Sequence, residues 1–332
     1  MRALKDYFKL RIFFRNTKAI ENLKPINSHL NIWPLCLNEW EDSLCGKDAI
    51  KNCIQISLLE KVFKILPRQK KGVYIMENQP WEFALLYAWR HAGHGILIGA
   101  PHTVIRYWDL RYHHDSCIYG GDSKNDIPLP DILAVNGPAA YKIMKEGNYP
   151  AHSIVEVEAL RFLHLSEPVF RKGISKLMGK ELHVLVLGDI MEFSTKKMLS
   201  WLKIVNQKTM QRIRFTFKPH PACYVESSQF HINNLNHSFQ PIKELLAECD
   251  LVFASNSTSA SLEAYCYKIP VIQMLDGSTM NLSPIRGMQG VSYISDPDQL
   301  RSAILTAWKA DYTTESYFNL DCRLLRWKEL LS

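Results

Sequence analysis

The chain has 332 residues, 47% of them hydrophobic, and a formal net charge of +7. That composition excludes a disordered chain, and the length suits about two domains. The small positive excess suits an anionic substrate, a nucleotide sugar or an acidic membrane surface, and is too weak and too spread to argue for nucleic acid.

Eight cysteines are scattered without a C-x-x-C pair or a Cys/His spacing that fits structural zinc. They read as reduced, small hydrophobes. No apolar run is long enough to span a bilayer, and charge interrupts the N-terminal stretch too often for a signal peptide. A cytoplasmic protein is expected.

Residues 1–70 read as mainly helical. Within residues 1–18, Arg2, Lys5, Lys9, Arg11, Arg15 and Lys18 face the single acid Asp6, interleaved with Leu4, Tyr7, Phe8, Ile12, Phe13 and Phe14. This is either a first helix packed on its domain or a basic amphipathic helix in peripheral contact with the inner membrane face. Val73–Met76 is expected as a strand with the exit Glu77-Asn78-Gln79-Pro80, and Trp81–His91 as a helix. Strand 96–100 follows, leaving through Pro101-His102-Thr103. Strand 132–135 exits at Asn136-Gly137-Pro138 into a helix over 139–146, and strand 154–157 comes next. The polar segment 166–180 is taken as a lobe boundary. Beyond it the pattern predicts strand 182–187, helix 195–205, strand 213–217, helix 242–249, strand 251–254, helix 259–267, strands 271–274 and 291–294, helix 297–309 and a terminal amphipathic helix.

Strands alternating with helices imply parallel sheets. The expected fold is α/β, with two doubly wound Rossmann-like lobes facing a cleft: an acceptor-binding lobe over 1–170, a nucleotide-sugar-binding lobe over 171–310 and a helical tail over 311–332. Ligands of such sheets lie beyond the carboxyl ends of the strands, where the polar exits fall.

Four hydroxyls follow strand 251–254 within five residues: Ser255, Ser257, Thr258 and Ser259, with Asn256 among them. With the free N–H groups of a first helical turn they suit a phosphate; one hydroxyl alone would be only a cap. Glu263, a turn later, is placed to accept from ribose hydroxyls or else faces solvent. After strand 213–217, Lys218 and His220 add positive charge and donors. Prolines on both sides hold His220 extended, as a donor to phosphate or as a loop histidine satisfied by backbone.

Lys218-Pro219-His220-Pro221 together with Ser255–Ala264 resembles the His-Pro and Ser/Thr motifs of bacterial two-lobed, GT-B type sialyltransferases and polysialyltransferases. Residues 77–82, 99–110 and 136–138 resemble bacterial surface-carbohydrate biosynthesis proteins of O-antigen and capsule loci. The resemblance spans about residues 70–310. It implies a GT-B fold and a glycosyltransferase that moves a nonulosonic, sialic-acid-like sugar from a CMP-linked donor to a glycan or lipid-linked glycan. It further implies that His220 and the Ser/Thr cluster hold the donor phosphate. The Asp/Glu-Asp-Gly motif that carries the general base in those sialyltransferases is absent.

An inverting transfer needs a base for the acceptor hydroxyl and donors for the leaving phosphate. Glu77, flanked by the candidate substrate ligands Asn78 and Gln79, is the first choice for the base; its other reading is a helix-capping carboxylate. Asp109 and His102 follow. Arg106 and Arg111 suit the carboxylate of an acidic sugar or an acceptor phosphate, or are surface ion-pair residues, and Asn136 lines a strand exit. His91, His94, His102, His113, His114 and Asp115 match no metal-ligand spacing, so neither metal nor cofactor is expected. P-loop, G-x-S-x-G and strand-supported G-x-G-x-x-G motifs are absent. The alternatives are a CDP-glycerol-type glycerophosphotransferase, a sugar-nucleotide epimerase of the same architecture and a non-catalytic nucleotide-sugar-binding subunit.

Overall fold

The computed structural model describes residues 2–16, 23–24, 28–114, 116–119, 127–168, 181–209, 212–306 and 316–332. The lobe boundary expected at 170, the last residues of helix 297–309, the start of the 311–332 tail, Lys18 and Asp115 lie outside them. Two compact units are present: residues 1–100 with 115–134, and residues 101–114 with 135–332.

In the first unit, helices α1 (Arg2–Asn16), α2 (Trp33–Cys45) and α3 (Lys47–Ile65) precede β1 (Lys71–Ile75), α4 (Pro80–His91), β2 (Ile96–Ala100) and β3 (Ile132–Val135). β1 pairs with β2 and β2 with β3, both in parallel. The next strand, β4 (Ile154–Glu156), belongs to the second unit. β1 begins two residues earlier than expected, because Lys71 and Gly72 join the ladder to Ile96 and Leu97. At the entry to α4, Pro80 occupies the first turn, where its missing N–H costs nothing, and Gln79 and Glu82 form a capping box. On α1, Leu4, Phe8, Ile12 and Phe13 are all more than half exposed. Among the described residues no helix is long and apolar enough to cross a membrane.

The second unit contains α5 (Pro138–Glu146), β5 (Leu182–Leu187), α6 (Glu192–Lys208), β6 (Ile213–Lys218), β7 (Leu235–His237), α7 (Ile242–Glu248), β8 (Leu251–Ser255), α8 (Ala260–Cys266), β9 (Val271–Met274), β10 (Val291–Ile294), α9 (Pro297–Thr306) and α10 (Leu325–Leu331). Six of these strands form one parallel sheet of order β10-β9-β8-β5-β6-β7. Alternate side chains of β5 divide between two cores. Leu182, Val184 and Val186 pack with Met198, Leu199 and Leu202 of α6 and with Leu300 and Ile304 of α9. Leu185 and Leu187 pack with Leu245 and Leu246 of α7 and with Leu262 and Tyr265 of α8. Burial on both faces is why these strands read as continuous apolar runs.

β5, β9 and β10 span the expected residues. α6 starts three residues earlier than expected, and β7 was not anticipated. That strand is three residues long, follows Asn233 and Asn234, and sits at the sheet edge, so neither length nor alternation marks it. The tail is part of the fold: Tyr317 and Phe318 enter the core of α7 and α8. Asn319 N–H donates to the Asn136 carbonyl. Gly137 sits at φ +153°, and a Cβ there would lie 2.7 Å from the Phe318 Cα. A glycine is therefore required where the β3 exit meets the tail. Glu158, buried, receives the N–H groups of Arg326 and Trp327 and so fixes the entry of α10.

Candidate functional site

The six-stranded sheet has the order of a dinucleotide-binding half-fold read twice outward from its centre: β5, β6, β7 to one side and β8, β9, β10 to the other. The order in which strands are added reverses between β5 and β8, and ligands of such sheets bind beyond the carboxyl ends at that point. Here β5 runs out into Gly188 and Asp189, and β8 ends at Ser255.

Asp189 is buried, 2% exposed. The hydroxyls of Ser255 and Ser257 both donate to its Oδ2, and Met191 N–H donates to Oδ1 at 2.7 Å. Two of the four expected phosphate hydroxyls thus have a carboxylate as their acceptor. Asn256 is also engaged, donating through Nδ2 to the Met280 carbonyl at 3.2 Å. Thr258 accepts from Ala260 N–H at 3.4 Å, and Ser259 is exposed.

His220 leaves β6 on the other side of β5. Its Nδ1 accepts from Ala222 N–H at 3.1 Å, which leaves Nε2 as the ring's outward nitrogen. A Cβ on Gly188 would lie 3.1 Å from the His220 backbone nitrogen, so the bare glycine lets the two exits run side by side. His220 and Ser255 therefore share one sheet edge but are separated by β5, two strand spacings or about 10 Å apart. Lys218 Nζ donates to the Gln240 carbonyl at 2.6 Å, which ties the β6 end to the segment before α7.

Ser259 and Glu263 open into a cavity of about 310 Å³ within the second unit. Thr103, Val104, Arg106, Asp109, Arg111, Arg161, Phe162 and His164 complete its lining. Arg111 grips Asp109 with two hydrogen bonds, Nε at 2.8 Å and Nη2 at 2.7 Å. Burial alone would raise the Asp109 carboxyl, but the Arg111 bonds and the charges of Arg111 and Arg106 hold it below its ordinary value. Glu263 moves the other way: burial pushes it up against the opposing pull of His164, whose Nε2 lies 3.5 Å away. Burial lowers Arg106, with the Asp109 charge opposing.

The remaining candidates stand apart from this cavity. Asn136 is buried and donates to the Thr103 carbonyl at 3.1 Å, a structural bond between two loops. His102 precedes Thr103 and is partly exposed. Glu77, Asn78 and Gln79 belong to the first unit, where all three N–H groups donate to the buried carboxylate of Glu82. Glu82 is therefore the capping acid of this turn. Among the described residues no group of three or more His, Cys, Asp or Glu side chains is arranged to hold a metal ion.

Sequence reasoning passed over Asp189, Arg161 and His164. Asp189 had a signal, since it follows a six-residue apolar strand just as the noted exits do. Arg161 and His164 lie on a run of 3-10 turns over Leu160–Ser166, where no periodicity marks them.

This is an α/β fold of two Rossmann-like lobes of GT-B type, as the sequence predicted. Solved structures share it. A UDP-N-acetylglucosamine 2-epimerase is 12% identical, with 99% of this chain and 92% of that one covered and a TM-score of 0.54. A putative UDP-N-acetylglucosamine 2-epimerase from Listeria monocytogenes is 11% identical over 90% and 84%, with a TM-score of 0.53. The glycotransferase of kitacinnamycin is 11% identical over 76% and 72%, with a TM-score of 0.50. No family model matches the chain, and no curated protein matches it in sequence.

Proposed function

We propose that the protein is a nucleotide-sugar-dependent glycosyltransferase of surface polysaccharide, inverting and metal-independent, with a CMP-linked nonulosonic acid as donor. The observation that carries this reading is the β5–β8 switch point, where the β8 exit runs on to Ser259 and Glu263, which line a cavity with three arginines. The fold shared with a glycotransferase supports it, as does the sequence resemblance at Lys218–Pro221 and Ser255–Ala264.

In this reading Thr258, Ser259 and His220 Nε2 offer donors to the donor phosphate, and Glu263 accepts from the ribose. The base takes the acceptor O–H proton as the new C–O bond forms at the anomeric carbon. The old bond to phosphate breaks, and the electron pair leaves with the nucleotide. Glu77 remains the first candidate for the base. Asp109 is the weaker one, because its Arg111 partner stabilises the charged form and opposes proton uptake. The acceptor is a glycan or lipid-linked glycan, and the exposed apolar side chains of α1 with Arg11 and Arg15 provide peripheral membrane contact.

A thermal-shift series with CMP, CDP, UMP, UDP, GMP and GDP tests the donor. Stabilisation by CMP, followed by sugar transfer from the CMP-linked donor, is expected; no shift with any nucleotide would sink the reading. An epimerase is the second reading, favoured by a solved 2-epimerase that spans nearly the whole chain. It predicts deuterium wash-in at the sugar ring from D2O without any acceptor.

A further inference from the structure

The cavity of the second unit contains more cation than its own acids use. Asp109 is taken by Arg111 through both nitrogens of the fork. Glu263 faces His164. Arg106 and Arg161 line the same cavity, and neither side chain has a hydrogen-bond or ion-pair partner among the described residues. Arg106 is only partly exposed, and burial lowers its pKa from the ordinary arginine value. A desolvated guanidinium that feels the Asp109 charge but makes no direct ion pair or hydrogen bond is an unfavourable arrangement in a protein that gains nothing from it.

The size of the cavity limits what fits. About 310 Å³ is at the small end for ligand sites, enough for part of a nucleotide sugar with its anionic group. Two planar forks without partners match the paired oxygens of a carboxylate or phosphate. The exposed Ser259 hydroxyl adds a neutral donor on the same lining.

We propose that Arg106 and Arg161 together bind one anionic group of the substrate, a carboxylate or a phosphate, while the Arg111 fork holds Asp109. The assignment of that group to the substrate rests on the transferase reading; the anion site itself does not. A carboxylate would come from an acidic sugar, and a phosphate from the nucleotide or from a phosphorylated acceptor.

The test is calorimetric titration of the full chain with inorganic phosphate, with CMP and with free N-acetylneuraminate. Arg106→Ala and Arg161→Ala should each weaken binding of the matching anion by about tenfold or more, the effect of losing a charge-assisted bond. Arg106→Lys should recover part of the loss, keeping the charge without the fork. Arg161 is exposed, so its replacement gives a folded protein even if Arg106→Ala does not fold. Phosphate and CMP responding while neuraminate does not bind assigns the site to phosphate, and the reverse assigns it to carboxylate. Unchanged affinity for every probe in both variants, or no binding of any probe to the parent protein, overturns the proposal. Normal sugar transfer by both variants would remove the site's assignment to the substrate and leave the transferase standing. Arginine-dependent phosphate binding without turnover of any sugar nucleotide would do the opposite.

Discussion

Replacing Glu82 separates a structural acid from a catalytic one at the β1 exit. Glu82 is 1% exposed and accepts from Glu77 N–H at 3.0 and 3.1 Å, Asn78 N–H at 3.0 Å and Gln79 N–H at 3.2 Å. Three donors therefore depend on one carboxylate, and Asn78 is held at φ +56° beside them. An orphaned buried donor costs roughly 1–3 kcal/mol, which sets a ceiling near ~9 kcal/mol for Glu82→Ala. Glu77, Asn78 and Gln79 are only partly buried, so water repairs part of the loss and about 3–5 kcal/mol is expected. Glu82→Gln keeps one acceptor oxygen and should cost about 1–2 kcal/mol. Burial pushes the Glu82 carboxyl above its ordinary 4.5, against the pull of the three N–H groups. Between that ordinary value and the raised one, the folded protein keeps a proton that the unfolded chain has lost. Its stability falls as pH rises through that window, and Glu82→Gln should flatten the slope. Urea unfolding followed by the fluorescence of Trp81 and Trp89, both on α4, reads these changes. By contrast, Glu77→Gln should cost under about 1 kcal/mol while lowering kcat by about a hundredfold or more. A Glu82→Ala protein within 1 kcal/mol of the parent would refute the capping argument, and an unchanged kcat in Glu77→Gln would pass the base role to His102 or Asp109.

Asp189→Asn should destabilise the second unit by about 2 kcal/mol, because an amide replaces the ionised acceptor of two serine hydroxyls and one N–H; an unaltered urea midpoint would show that the carboxylate does not order the switch point. His220→Ala should abolish transfer while circular dichroism stays that of the parent, since among the described residues its side chain bonds only to Ala222 N–H; near-normal turnover removes it from the chemistry. Gly137→Ala should cost about 2–4 kcal/mol, from the φ of +153° and the clash with the 317–319 backbone; a neutral result in urea would mean that the tail yields. Transfer should persist in EDTA, and a loss reversed by a divalent ion would demand a metal in the mechanism.

The fold was legible where burial is two-sided. Leu182–Leu187, Leu251–Ser255 and Val271–Met274 are buried at every position, so they stand out as apolar runs without any alternation. β7 stayed hidden because it is three residues long and only partly buried. The site was legible in part. The Ser255–Ser259 hydroxyls and His220 do share one sheet edge, but their spacing across β5 depends on strand order, which no local pattern encodes. For the same reason the partner of Ser255 and Ser257 could not be read: Asp189 lies more than sixty residues upstream, after the neighbouring strand. Arg106 was named for its chemistry alone, whereas its lack of a direct ion pair emerges only when Asp109 is seen to belong to Arg111.

The position of β5 also governs how the second unit is made. During synthesis β6 and β7 emerge first and cover one side of it, while the other side waits for β8. Until residues 251–255 arrive, the most apolar strand of the unit presents a bare row of peptide groups to its surroundings. A nascent chain halted between α7 and β8 should therefore be a strong chaperone client and prone to aggregate, and it should lose both traits once β8 has docked.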